Sequence, residues 1–211
     1  MIVGSTKEDF TKEKRVSLTP DTAKNIIGLG LTVCVEKNYA SHLGIHDNEY
    51  TKVGVQIKDS SDEVLNTCNL LIKVNCPGEK EINSLKEKTI LIGMFNPSQN
   101  KQQINQIKKK DIEIFSLELL PRITRAQSMD VLSSQSNLAG YRAVIDCVAE
   151  FEKAIPMMMT AAGTVPAAKI LVIGAGVAGL QAIATAKRLG AIVSATDVRS
   201  ASKEQVESLG G

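Results

Sequence analysis

The sequence predicts an α/β protein in two parts: a parallel-sheet α/β domain over residues 1–135, then, over residues 136–211, a linking helix and the first β-α-β of an incomplete, doubly wound second domain. Three observations lead there. Short β-rich runs alternate with helical patterns through about residue 120. The segment PRITRAQSMDVLSSQSN, residues 121–137, then breaks the alternation with hydroxyls, amides and charges. Beyond it, KILVIGAGVAGLQAIATAKRLGAIVSATDVRS reads as a buried strand, a glycine-rich turn, a helix and a second strand.

The first strand is expected over Met1 to Ser5 and the first helix over Pro20 to Leu29. Thr19 is placed to cap that helix, Pro20 suits its first position, Ala23, Ile26 and Ile27 share one face, and Gly30 ends it. A strand over Leu31 to Glu36 completes a β-α-β order, the rhythm of a parallel sheet. Further strands are expected over Asn69–Val74, Thr89–Gly93 and Ile112–Leu117, with a helix over Ser98–Lys109 between the last two. After the polar segment, which reads as a loop, a long helix should begin near Ser136 or Asn137 and run to Phe151. The stretch MMMTAAGTVPAA then leads into a strand at Ile170–Ile173, a helix over Val177–Leu189 and a strand over Ile192–Thr196.

Composition narrows the function classes. With 211 residues, 43% of them hydrophobic, 23% charged and a net charge of +2, the chain can bury a core but carries no nucleic-acid footprint. The run Lys108, Lys109, Lys110 reads as a solvated helix end. No apolar run approaches the ~20 residues of a membrane span, and MIVGSTKEDF does not read as a signal peptide. Cys34, Cys68, Cys76 and Cys147 are scattered, without metal-ligand spacing, and read as small apolar residues of a reducing compartment. His42 and His46 lie in ASHLGIHDNEY, which reads as a loop at the surface or core edge.

Gly174, Gly176 and Gly179 form G-x-G-x-x-G between an apolar strand and a helix. In a dinucleotide-binding, or Rossmann, turn the first glycine makes the bend, the second admits the pyrophosphate and the third lets helix and strand touch. The helix N-terminus then faces the phosphates with unpaired N–H groups. Asp197 closes the second strand at the distance where a carboxylate takes the adenosine ribose hydroxyls, which favours NAD(H) over NADP(H). Arg199 works against that preference, because an arginine there can accommodate a 2′-phosphate. The competing reading is a purely structural glycine turn.

Three further stretches, KE…EKRVSLTP from Lys7 to Pro20, LLIKVNCPG from Leu70 to Gly78 and RITRAQSMDVLSSQSNLAGYRAV from Arg122 to Val144, resemble the alanine dehydrogenase and transhydrogenase family over the whole chain. The last resembles its transhydrogenase branch. That resemblance implies hydride transfer between NADH and NADP+, with NAD(H) held here and NADP(H) held by a partner domain. It also implies a transmembrane partner that translocates protons, a homodimer, and a place on the cytoplasmic side of the inner membrane. Arg122, Gln127, Asp130 and Ser133 are then nicotinamide-positioning residues, with Ser128 and Met129 offering backbone contacts, and Val177, Asp197, Val198 and Arg199 joining the glycines as NAD(H) contacts. Hydride transfer between nicotinamides asks for positioning and exclusion of water, not for an acid or base. On spacing alone, the same segment also reads as a polar capping network.

The alanine dehydrogenase branch is the rival within the family. Arg15 and Lys73 match residues that hold a keto acid there, but Asn96 stands where that branch carries its catalytic histidine. A reading of another class is a non-catalytic fragment of a split or decayed gene, since the chain stops after two strands of the second sheet. On that count the isolated chain is expected to expose strand edges and to bind NAD(H) poorly.

Overall fold

The computed structural model describes residues 1–121 and 123–211. They form two compact units, Met1–Met129 and Asp130–Gly211.

In the first unit the elements follow in the order β1 (Ile2–Ser5), α1 (Pro20–Gly28), β2 (Thr32–Glu36), α2 (Asp47–Lys52), β3 (Gln56–Lys58), α3 (Ser61–Thr67), β4 (Leu70–Ile72), α4 (Glu79–Ser84), β5 (Ile90–Gly93), α5 (Lys101–Lys108) and β6 (Glu113–Ser116). All six strands are parallel, in the order β3-β2-β1-β4-β5-β6. That is a doubly wound sheet whose chain direction switches between β1 and β4. Side chains alternate across it: Val33 and Val35 join one buried cluster with Val3, Tyr39 and Tyr50, while Cys34 between them joins the other with Leu71, Leu91, Phe95 and Ile107. A sheet covered on both faces has no polar side to alternate with, so its strands read as apolar runs.

Four short elements escape the sequence pattern. β3 offers one apolar residue, Ile57, in three. Helices α2, α3 and α4 are six or seven residues long, too short to display a helical period. The stretch expected to be a loop around His42 and His46 in fact holds a 3-10 turn at Ser41–Leu43 and the start of α2. His46 caps α2, and Glu49 reaches back to accept its N–H at 2.9 Å. Both histidines are exposed, and His42 stacks on Phe10.

The lysine run also departs from expectation. Lys110 is not simply solvated: its ammonium donates to the carbonyls of Ile82, Asn83 and Leu85 at 2.6 to 2.8 Å. It thereby satisfies carbonyls that the end of α4 leaves open.

The second unit contains α6 (Val131–Phe151), β7 (Met158–Thr160), β8 (Gly163–Val165), β9 (Lys169–Ile173), α7 (Val177–Arg188), β10 (Ile192–Thr196) and α8 (Ser202–Ser208). β9 and β10 are parallel over five paired positions, and β7 and β8 form a small antiparallel hairpin within the stretch read as a connector. Helix α6 starts more than a turn before Ser136. Asp130 caps it, accepting from the Ser133 amide at 2.9 Å and from its hydroxyl at 2.6 Å, and the polar run Ser133–Asn137 in its first two turns hides the period. Val144 of α6, Ile183 and Ala186 of α7, and Val193 of β10 build the core. Close packing is written into Gly140, where a methyl group would fall 2.0 Å from the Ala178 carbonyl oxygen.

Of the cysteines, Cys34 and Cys68 are buried, Cys76 is half-buried and Cys147 is exposed, so the last is not a core residue. Among the described residues no helix is long and apolar enough to cross a membrane.

Candidate functional site

The end of β9 turns at Gly174, whose φ of +96° is one that side chains with a Cβ rarely adopt. Its amide donates to the Thr196 carbonyl at 2.7 Å, which ties the turn to the end of β10. Gly179, one turn into α7, sits so close that a Cβ would lie 1.8 Å from the Gly174 oxygen. Gly176 caps α7 through its backbone alone, with open space where a side chain would be. The first turn of α7 carries no acidic residue, while Lys187 and Arg188 fall in its last turn, where they suit the dipole. The three glycines thus leave the positive end of the helix dipole open.

Asp197 completes the site from β10. Its Oδ2 accepts from the Ala175 amide at 2.7 Å and from Arg199 Nη2 at 3.1 Å. Its Oδ1 accepts from the Arg199 amide at 2.8 Å and from Nε at 2.9 Å. The Arg199 guanidinium and the two amides hold the carboxyl well below the usual carboxylate range, and the pairing raises Arg199 in turn. The Asp197 side chain is 10% exposed, that of Arg199 61%. A cleft of about 540 Å³ opens here, lined by Thr196, Asp197, Arg199, Ser200 and Lys203 among others. Val177 is exposed at the helix end and Val198 fully so. Ala175 was not singled out by sequence reasoning, because its contribution is an amide that any residue would supply.

The residues expected near a nicotinamide fall in both units. Gln127, Ser128 and Met129 lie in a 3-10 turn at Thr124–Met129 of the first, all with exposed side chains. Asp130 and Ser133 belong to the second and hold one another as the cap of α6. Arg122 lies outside the described residues.

Arg15 and Lys73, the pair shared with the rival branch, are answered by the chain's own carboxylates. Arg15 donates to Glu13 through Nε at 2.8 Å and Nη2 at 2.7 Å. Glu13 is held at about 2 by that guanidinium. Lys73, 4% exposed at its side chain, donates to Glu81 at 2.7 Å, Thr6 at 3.1 Å and the Lys7 carbonyl at 3.2 Å, with Glu8 at 4.0 Å. Beside it, Ser5, Ser17 and Tyr39 share hydroxyl contacts of 2.8 to 3.0 Å. The switch point between β1 and β4, where doubly wound sheets receive ligands, is therefore occupied by the chain's own polar groups. Asn96 donates its backbone N–H to the Glu118 carboxylate.

Comparison with known proteins also divides the chain in two, at a point within α6. The model of the alanine dehydrogenase/PNT N-terminal domain matches residues 4–139, and that of the C-terminal domain residues 143–211. The chain is 50% identical to an NAD(P) transhydrogenase subunit alpha polypeptide of Rhodospirillum rubrum, over 100% of this chain and 56% of that protein. The crystal structure of transhydrogenase from Sinorhizobium meliloti superposes with a TM-score of 0.96 at 50% identity, covering 100% of this chain and 63% of that one. Alanine dehydrogenase of Methanococcus maripaludis is 28% identical over 94% of this chain and 53% of its own length. The chain thus spans little more than half the length of the Rhodospirillum and Methanococcus relatives, and across both of its parts it belongs to the alanine dehydrogenase/PNT family.

Proposed function

We propose that this chain is the NAD(H)-binding component of a proton-translocating NAD(P) transhydrogenase, exchanging hydride with NADP(H) held on a partner domain. The observation that carries the reading is the glycine turn with Asp197 locked against it by the Ala175 amide. This is a preformed seat for a pyrophosphate, with Asp197 beside it as the acceptor for a ribose diol. The pyrophosphate sits on the amides at the start of α7, beside Gly176 and Val177, and the ribose hydroxyls on Asp197. Once bound, the cofactor's nicotinamide supplies the hydride chemistry. Gln127 offers both a donor and an acceptor for a carboxamide, and Asp130 and Ser133 hold the segment's shape, so the chain's role is orientation.

The neutralised Arg15 and Lys73, together with Asn96 in place of a histidine, weigh against alanine dehydrogenase: both cations are already paired with the chain's own carboxylates, and position 96 has no imidazole for proton transfer. We further propose a homodimer on the cytoplasmic side of the inner membrane, with transmembrane and NADP(H)-binding partners. Nicotinamide fluorescence during NADH and NADPH titrations, of the chain alone and mixed with a polypeptide that supplies further strands of the second sheet, tests the central point. NADH is expected to bind in preference, about tenfold or more weakened by Asp197→Ala as a charged acceptor is lost. Equal response to both nucleotides, unchanged in the variant, refutes the assignment.

A further inference from the structure

A carboxylate offers about four lone-pair positions, and Asp197 has four donors on it. Two are the Ala175 and Arg199 amides, which the turn and strand end fix in place. The other two, Nε and Nη2, belong to one guanidinium on an exposed side chain. The adenosine ribose also presents two donors, its 2′- and 3′-hydroxyls. It can reach Asp197 only where the guanidinium now lies.

We propose that Arg199 is a specificity-determining residue of this site, competing with the ribose for Asp197 and, once residue 197 is uncharged, turning to hold a 2′-phosphate. The inference rests on the dinucleotide reading above. The guanidinium is a planar, two-pronged donor that imitates a diol on one carboxylate, and it matches a phosphate equally well. While Asp197 is charged, the two cancel: the arginine is held down and the carboxylate repels a phosphate. A ligand with free hydroxyls needs only to displace the guanidinium, the exposed arm of the pair, while the two fixed amides stay on the carboxylate. A 2′-phosphate needs to separate the same pair and then sit beside the bare carboxylate. Without that negative charge the arginine is released into the cleft, where Lys203 lies paired with Glu207 at 3.8 Å.

The test uses the whole 211-residue chain, labelled with ¹⁵N, and two ligands that differ by one group, adenosine 5′-monophosphate and adenosine 2′,5′-bisphosphate. Shifts of the Ala175, Gly176 and Val177 amides report binding, and the rest of each spectrum reports folding. Arg199→Met is expected to bind the monophosphate about two- to fivefold more tightly, the worth of an exposed ion pair. Asp197→Asn, which keeps an acceptor for Ala175, is expected to prefer the bisphosphate about tenfold, and Asp197→Asn with Arg199→Met to lose that preference. Monophosphate affinity unchanged or lowered by Arg199→Met, or bisphosphate affinity alike in the single and double variants, overturns the proposal. If no protein, parent or variant, shifts those amides with either ligand, the dinucleotide reading itself falls, and this inference with it.

Discussion

Glu13 shows how a single contact sets a pH window. Its carboxyl lies near 2 beside Arg15, against an ordinary glutamate value of 4.5 in the unfolded chain. A carboxyl depressed by folding adds stability above the unfolded value and loses it as pH falls toward the folded one. The contribution of Glu13 should therefore be whole above about pH 4.5 and drain away toward pH 2, and Glu13→Gln should flatten the acid limb of the urea-unfolding profile in that window. A limb that keeps its slope in the variant excludes Glu13 as its source. Thiol reactivity separates the cysteines in a similar way. Cys147 is exposed, whereas burial pushes the half-buried Cys76 thiol to about 11 and the buried Cys68 thiol to about 12. Maleimide at neutral pH should label Cys147 first, Cys76 slowly and Cys34 and Cys68 only after unfolding. Mass spectrometry of a time course checks the order, and early labelling of Cys68 contradicts the packing.

Among elements, α6 is held at its N-terminus by Asp130. Asp130 takes both the amide and the hydroxyl of Ser133 at its start. Asp130→Ala should cost about 1 kcal/mol in thermal unfolding, whereas Asp130→Asn keeps a capping oxygen and should cost less. Equal losses would show that charge rather than capping matters there. The strands that face apolar neighbours on both sides, β1, β2, β4 and β5, were legible because burial leaves nothing polar to interrupt them. So was the β9-α7-β10 turn, since Gly174 needs its backbone conformation and Gly179 its closeness. What escaped was governed by tertiary contact. β3 is a strand because β2 pairs with it, and Lys110 is a cap because α4 ends within its reach. The lock between Ala175 and Asp197 joins residues 22 apart through an amide, which leaves no mark in side-chain identity.

For the molecule as a whole, the second unit presents an apolar surface along β9. Leu171 is 63% exposed and Ile173 81%, beside a groove of about 300 Å³ lined by Val148, Phe151 and Ile170. Among the described residues β9 pairs with β10 alone. Unpaired strand edges with apolar side chains invite association. Ile173→Lys should lower concentration-dependent light scattering while shifting unfolding by no more than ~0.5 kcal/mol, as expected of an exposed position. Scattering that persists unchanged would place the sticky surface elsewhere. The sheet of the first unit carries a different consequence. Its two central strands, β1 and β4, meet across residues far apart in sequence, and β6 at its edge is complete by Ser116. As the chain leaves the ribosome, every strand of that sheet emerges before the first glycine of the nucleotide turn does. The carboxylate that locks the turn, Asp197, emerges near the end of these 211 residues. Vectorial synthesis therefore supplies these six strands of the first sheet well before the second unit has what it needs to hold its glycine loop in shape.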